Sequence, residues 1–188
     1  RLNVRGVNSG LNIRSGASLT TNLVSYLDTG AFTVNGNFIA PQLGQSGGYL
    51  TGTGTITTTM GLLVAGGIVS GGSLNAGVGT LNVVGGASFT LGALYGVDVA
   101  SAVSNDRLAI TGGLTIGSGV GYAANFLYTP TFGTTWTVAT TTTGVTGSFS
   151  SIASNLPGVL RAQVNTVGNN LVMSIIAPIG GTANYFAF

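Results

Sequence analysis

The sequence predicts an all-β protein, a right-handed parallel β-helix of short strands with a more irregular, β-rich C-terminal portion. Three observations carry this prediction. The chain has 33 Gly among its 188 residues. It lacks Lys and Glu, which favour helices, whereas Val, Thr and Ile are common. Apolar and polar residues alternate in short runs that Gly interrupts, a pattern typical of a solenoid whose rungs stack on one another.

The first residues already repeat a strand-like unit. Leu2-Asn3-Val4 is echoed by Leu11-Asn12-Ile13 and by Leu81-Asn82-Val83. Successive side chains of a strand point to opposite faces, so each unit has one buried and one solvated face. Gly doublets such as Gly47-Gly48 and Gly66-Gly67 separate later units. We expect coils of about 20 residues with Gly at the corners, where a positive φ is cheap only for Gly.

The pattern of residues in the sequence changes after residue 120. We therefore predict β-solenoid coils over 1–120 and a C-terminal β-rich cap or assembly segment over 121–188, within one continuous domain. Longer alternating runs and most of the large aromatic residues fall in this second part, and residues 182–188 are apolar and aromatic. The longer strands are expected at 122–128, 135–140, 159–167 and 171–176.

Charge is unusually sparse. Charged residues make up 4% of the chain, against about 25% in ordinary soluble domains. Without His, Lys, Glu or Cys, general bases, activated nucleophiles and soft metal ligands are nearly absent. We therefore expect no enzyme, no cofactor and no metal site. Five scattered Arg form no basic stripe for nucleic acid.

Membrane insertion is also not expected. No run approaches the roughly 20 apolar residues that a spanning helix needs. A transmembrane barrel shares the alternating pattern, but it needs strands of about ten residues, longer than the units before residue 120.

Two acidic motifs suggest catalysis at first sight. Asp28-Thr29-Gly30-Ala31 resembles the motif of retroviral-type aspartic proteases, but that chemistry needs two carboxylates, and only a second copy of the chain would supply the other. Asp-Thr-Gly is also ordinary turn chemistry, which we prefer. In the second motif, Asp98 and Asp106 are candidates for the paired acids of a glycoside hydrolase. The simpler interpretation is a turn in which Asp106 pairs with Arg107 or another Arg.

Over residues 48–176 the order of motifs resembles the C-terminal part of autotransporter passenger β-helices. The motifs are 50–56 (LTGTGTI), 79–83 (GTLNV), 105–113 (NDRLAITGG), 133–139 (GTTWTVA), 144–149 (GVTGSF) and 168–174 (GNNLVMS). The resemblance implies a secreted parallel β-helix displayed at a Gram-negative cell surface, as an adhesin or a scaffold stem. The membrane-translocating barrel that follows such passengers is not recognised here. Because Arg1 is not an initiator Met, we expect a processed chain whose precursor carried the export signal.

The ends of a solenoid expose unpaired strand edges. We expect the subunits to join end to end, through Leu2 and Val4 at one end and Tyr185, Phe186 and Phe188 at the other. The predicted function is thus an extracellular structural protein that self-assembles into a filament, sheath or surface layer, with itself as its main partner. The alternative is a monomeric passenger stem or adhesin that binds a host or glycan surface.

Overall fold

The computed structural model describes residues 1–73, 77–157 and 160–177, and this part of the chain contains strands and turns without a helix. Accordingly, none of its segments is a helix long and apolar enough to cross a membrane. The prediction of an all-β parallel solenoid is confirmed.

The strands of the described residues are short and follow one another closely. In chain order they are β1 (Asn3–Val4), β2 (Gly10–Ile13), β3 (Ser18–Thr20), β4 (Ser25–Leu27), β5 (Ala31–Val34), β6 (Asn37–Ala40), β7 (Leu43–Gln45), β8 (Tyr49–Thr51), β9 (Thr55–Thr58), β10 (Leu62–Val64), β11 (Gly67–Val69), β12 (Thr80–Val84), β13 (Ala87–Phe89), β14 (Ala93–Ser101), β15 (Ser104–Asn105), β16 (Arg107–Ile110), β17 (Leu114–Ile116), β18 (Gly121–Phe126), β19 (Thr135–Thr141), β20 (Val145–Gly147), β21 (Ser151–Ser154), β22 (Arg161–Val167) and β23 (Asn170–Ile176).

Three sheets run along the molecule, and each coil of the chain adds one strand to each of them. Sheet A has the order β1-β4-β7-β10-β13-β17-β20, and sheet B has the order β2-β5-β8-β11-β14-β18-β21. Sheet C has the order β3-β6-β9-β12-β16-β19-β23-β22. From β1 to β21 neighbouring coils pair in parallel, as a β-helix requires.

Coil length is not constant. Ala31 pairs with Tyr49, 18 residues later, whereas Ala109 pairs with Thr140, 31 residues later. The expected 20-residue coil therefore describes only the first part of the chain. The repeated units found in the sequence do not mark successive coils, because β1, β2 and β12, which contain them, belong to sheets A, B and C respectively.

Glycines form a column at the corner between sheets A and B. In three successive coils Gly30, Gly48 and Gly67 occupy this corner with φ of +86°, +69° and +79°. A Cβ at Gly48 would lie 2.3 Å from the carbonyl oxygen of Gly30. These positions therefore exclude a side chain both through their dihedral angles and through the closeness of the neighbouring coil.

Aliphatic and aromatic side chains fill the interior in continuous columns. One column, called the sheet B column below, is in register across all seven coils. It consists of Leu11, Phe32, Leu50, Val69, Tyr95, Tyr122 and Ile152. Its five central members are at most 1% exposed, whereas Leu11 is half-buried and Ile152 is 39% exposed. Among the described residues, the column is thus fully covered in its middle and more exposed at its two terminal members.

The change expected at residue 120 takes a different form. Parallel pairing continues past this position to β20 and β21. Among the described strands that follow residue 120, only β22 and β23 depart from it, because β23 pairs antiparallel with both β19 and β22. The strands before residue 120 are not all short either, since β14 has nine residues, and its last part pairs antiparallel with β15 within sheet B.

Candidate functional site: the two ends of the β-helix

The first coil is an open end. In the described part of the chain β1, β2 and β3 each pair with one strand only, so their outer backbone edges face solvent. Leu2, Leu11 and Leu19 are half-buried and pack against the core. Of the two contact residues predicted here, Leu2 is partly accessible, whereas the side chain of Val4 is buried in the core at 6% exposure.

Positive charge gathers at this open end. Arg1, Arg5 and Arg14 are all exposed on the first coil, although the sequence had suggested scattered Arg. Arg5 forms an ion pair with Asp28 (Nε to Oδ2, 2.5 Å), and the guanidinium of Arg1 lies 4.7 Å from the centre of the Tyr26 ring. Together with Asp28, these three residues account for the chain's net charge of +2. Charged side chains at a free strand edge discourage unwanted pairing with other chains.

The other end is partly closed by the β22–β23 hairpin. Leu171, Met173 and Ile175 of β23 are buried, and the Tyr122 hydroxyl donates to Sδ of Met173 at 3.2 Å. Met173 is in register with Trp136 of β19. The hairpin therefore covers the last parallel strand of sheet C. The predicted contacts Tyr185, Phe186 and Phe188 lie outside the described residues.

Sheet B is less well covered than sheet C at this end. All four residues of β21 are exposed, and among the described residues β21 pairs only with β18. A groove of about 350 Å³ lies between β21 and the start of β22, lined by Ile152, Leu156, Leu160, Arg161 and Ala162 among others. Ile152 is the last member of the sheet B column, so this groove opens onto the end of the core.

Asp98 and Asp106, considered above as paired acids, do lie side by side, and both are buried. Oδ2 of Asp106 accepts hydrogen bonds from the Ser70 hydroxyl (2.9 Å) and from the backbone N–H of Asp98 (3.0 Å). Its Oδ1 accepts one from the backbone N–H of Gly79 (2.8 Å). The expected pairing of Asp106 with Arg107 or another Arg is wrong, since the ion pair of the described residues joins Arg5 to Asp28.

Burial raises the pKa of Asp106 to about 6, and the nearby Asp98 carboxylate adds to this effect, while the three hydrogen bonds oppose it. In the described residues no three side chains of His, Cys, Asp or Glu come together as metal ligands. The hydrogen-bonding groups around Asp106 belong to the protein itself and join neighbouring segments of the chain. This arrangement is typical of a structural clamp.

A ladder of polar side chains continues from Asp98 toward the C-terminal end, and sequence reasoning missed it. Asn125 Nδ2 donates to Oδ1 of Asp98 at 2.9 Å, and Asn155 Nδ2 donates to Oδ1 of Asn125 at 3.0 Å. Oδ1 of Asn155 also accepts the backbone N–H of Phe126 at 2.7 Å. Asn125 follows Asp98 by 27 residues, and Asn155 follows Asn125 by 30 residues, and both spacings equal the local coil length. Because the coils lengthen along the chain, these three residues show no constant spacing in the sequence.

Asp28 lies in the connection between β4 and β5, where the sequence favoured a turn. It accepts a hydrogen bond from the Ser46 hydroxyl (2.9 Å) in addition to its ion pair with Arg5. Thr29 Oγ1 accepts the backbone N–H of Gly6 at 2.6 Å. These contacts join the first three coils at the corner between sheets A and B.

No model of a known protein family matches this chain, and a search among curated proteins finds no match either. The resemblance to autotransporter passengers therefore stays a prediction. The described residues form a stack of coils with three exposed Arg on the first coil and a hairpin that partly closes the last one.

Proposed function

We propose that this chain is a non-enzymatic structural protein, secreted to the exterior of a Gram-negative cell, where it serves as a section of a rigid stem. The observation that carries the proposal is the sheet B column, which runs from Leu11 to Ile152 in register through seven coils. Such a stack transmits load along its length, because each coil bonds to the next through its backbone in all three sheets.

The differences between the two ends favour a stem over a polymer of identical copies. A filament needs two complementary ends on each copy, so that the same contact repeats without closing. Here the first coil offers three parallel edges, whereas β22, at the far end of sheet C, belongs to an antiparallel hairpin. The described part of the other end has no exposed acidic side chain that could pair with the Arg residues on the first coil of another copy. An adhesive role toward a host or glycan surface would be an addition to the stem.

The second candidate function is self-assembly into a filament, sheath or surface layer. It is favoured by the edges of β1, β2 and β3 that have no partner strand among the described residues, and by the half-buried Leu11 in β2. A second copy that stacked on this coil would pair the free backbone groups and bury the end of the sheet B column.

Light scattering after size-exclusion chromatography, together with negative-stain electron microscopy, tests the choice. A stem section is expected to be monomeric over a hundredfold range of concentration and to appear as short rods. Filaments that lengthen with concentration would instead support self-assembly, and compact particles without an elongated axis would overturn both candidates.

Two matched variants identify the surface responsible if polymers form. Leu11→Arg places a charge at the open end, whereas Leu63→Arg places it on the outward face of sheet A, where Leu63 is already 38% exposed. Self-assembly through the first coil requires that Leu11→Arg abolish the polymers and that Leu63→Arg leave them intact.

A further inference from the structure

A polar cleft of about 300 Å³ opens at the corner between sheets B and C. Gly79 and Thr80 line it from the segment that leads into β12, whereas Ser104, Asn105 and Arg107 line it from β15 and the start of β16. Because β15 runs antiparallel to the last part of β14, the chain makes a short hairpin here before it enters sheet C. The cleft therefore lies between segments of two successive coils, beside this hairpin.

Hydrogen bonds hold the lining of the cleft in place. The backbone N–H of Arg107 donates to the carbonyl oxygen of Gly79 at 2.8 Å, and the N–H of Gly79 donates to Oδ1 of Asp106 at 2.8 Å. Asn105 Nδ2 donates to the backbone carbonyl oxygens of Asp106 (2.6 Å) and Thr137 (3.1 Å), which leaves Oδ1 of Asn105 as an acceptor. The polar groups of the cleft are thus positioned before any ligand binds, which lowers the entropic cost of binding.

The positive charge of the cleft is not neutralised by the protein. Arg107 is exposed, and its guanidinium has neither an ion pair nor a hydrogen bond among the described residues. Asp106, its neighbour in sequence, is buried, and both of its carboxylate oxygens accept hydrogen bonds from other groups. The hydroxyl groups of Thr80 and Ser104 also have no hydrogen-bond partner in the described part of the chain. The cleft therefore presents an unpaired guanidinium beside two free hydroxyl groups.

We propose that this cleft binds a carboxylate-bearing sugar, such as one uronic acid residue of a polysaccharide. The planar guanidinium of Arg107 matches a carboxylate and holds it through two parallel hydrogen bonds. This contact selects an acidic ligand, because the described lining contains no acidic side chain that would repel it.

The other lining groups suit the rest of a sugar. The hydroxyl groups of Thr80 and Ser104 both donate and accept hydrogen bonds, and Oδ1 of Asn105 accepts them, so that together they match sugar hydroxyl groups. Val78 and Val103 offer apolar contact to the carbon atoms of the ring. A volume of about 300 Å³ is at the lower end of the range for ligand pockets, which fits a single sugar residue.

Titrations of the full chain followed by ¹⁵N–¹H NMR test the proposal with three probes: glucuronate, glucose and acetate. Glucuronate is expected to shift the amide signals of Ser104, Asn105 and Arg107 and to saturate with a Kd on the order of 1 mM, as suits a small ligand with one charge-assisted contact. Glucose lacks the carboxylate and acetate lacks the sugar hydroxyl groups, so each should bind at least about tenfold more weakly than glucuronate.

Arg107→Gln should weaken the binding of glucuronate at least about tenfold, because it removes the charged partner of the carboxylate. Arg14→Gln is the matched control, since it removes the same charge from an exposed position on the first coil and should leave the Kd unchanged. Arg107→Lys keeps the charge but not the fork, and its Kd should lie between those of the natural chain and Arg107→Gln. The spectra of the variants themselves show whether each one is folded.

The site is overturned if glucuronate produces no saturable shift at the cleft amides, or if Arg14→Gln weakens binding as much as Arg107→Gln does. Equal Kd values for acetate and glucuronate would overturn the assignment to a sugar, because the carboxylate alone would then account for binding. Glucose that binds as tightly as glucuronate would contradict the role of Arg107. These outcomes do not depend on whether the chain serves as a stem or forms filaments.

Discussion

The carboxylate of Asp106 accepts the backbone N–H of Asp98 at 3.0 Å and, through the same oxygen, the hydroxyl of Ser70 at 2.9 Å. Ser70 follows β11 in the fourth coil, and Asp98 lies in β14 of the fifth. The other oxygen accepts the backbone N–H of Gly79, just before β12. The buried side chain of Asp106 therefore joins the fourth and fifth coils, where the coil length increases.

Asp106→Ala is expected to lower the free energy of unfolding by on the order of 3 kcal/mol or more. The variant leaves three donors without their acceptor, and each buried unsatisfied donor costs about 1–3 kcal/mol. Urea denaturation followed by the fluorescence of Trp136, which is buried at 3% exposure, measures the change. Asp28→Ala is the control, because it removes a more exposed ion pair and should cost less than about 1 kcal/mol. Similar losses for the two variants would contradict the clamp.

Stability should depend on pH through the same residue. The pKa of Asp106 is about 6 in the folded chain, above its ordinary value of 3.8. Between these values the folded state holds a proton that the unfolded chain has lost. The free energy of unfolding is therefore highest below pH 4, falls by roughly 3 kcal/mol as the pH rises to 6, and levels off above that.

Denaturation curves of the natural chain, Asp106→Asn and Asp28→Asn at pH 4 to 7 check this dependence. The fall should disappear in Asp106→Asn, whatever that variant's overall stability, and persist in Asp28→Asn. A natural chain that gains stability over this range would show that the three hydrogen bonds outweigh burial.

Two glycines with a positive φ should differ sharply in their tolerance of a methyl group. A Cβ at Gly52 (φ +126°) would lie 2.1 Å from the carbonyl oxygen of Val34, whereas a Cβ at Gly16 (φ +79°) would have no atom within 4 Å. Gly16→Ala is expected to cost about 1–2 kcal/mol, the strain of the dihedral angle alone. Gly52→Ala adds a steric clash between coils and should cost at least about 3 kcal/mol.

Thermal unfolding of the two variants under identical conditions measures the difference. A chain that no longer folds with Ala at 52 agrees with the expectation, provided that Gly16→Ala folds. Equal melting temperatures would show that the coils separate easily at Gly52.

The polar ladder should behave as a coupled unit. Asn125→Ala removes the contacts of Asn125 with both Asp98 and Asn155, and should cost about 1–2 kcal/mol. Asn155→Ala should cost about 1 kcal/mol, because it leaves the N–H of Phe126 without its acceptor. The double variant should lose at least about 0.5 kcal/mol less than the sum, as expected for residues in direct contact.

Asn12→Ala is the control for this cycle. Asn12 is exposed on the outward side of β2 and should change stability by less than about 0.5 kcal/mol. Strict additivity of Asn125→Ala and Asn155→Ala, measured by urea denaturation, would mean that the ladder residues act independently.

Much of the local structure could be predicted from neighbouring residues. Alternation predicted strands at 135–140 and 171–176, and the structure places β19 and β23 there, each one residue longer at one end. Two of the Gly doublets, at 47–48 and 66–67, mark corners, and their second residue has a positive φ. The nine-residue β14 escaped prediction because Gly96 and Asp98, which interrupt its apolar pattern, are normally poor strand residues.

The sequence by itself determined the strand-and-corner pattern, since alternation and glycine conformation depend on residues that are close together in the chain. Only the tertiary structure decided which coil lies on which, because the register depends on loops whose lengths change from one coil to the next. It thereby placed Asp106 against Ser70, 36 residues earlier, gathered three Arg at one end and capped sheet C with an antiparallel hairpin. Contacts of this kind come from the stacking of distant segments, for which the local pattern carries no information.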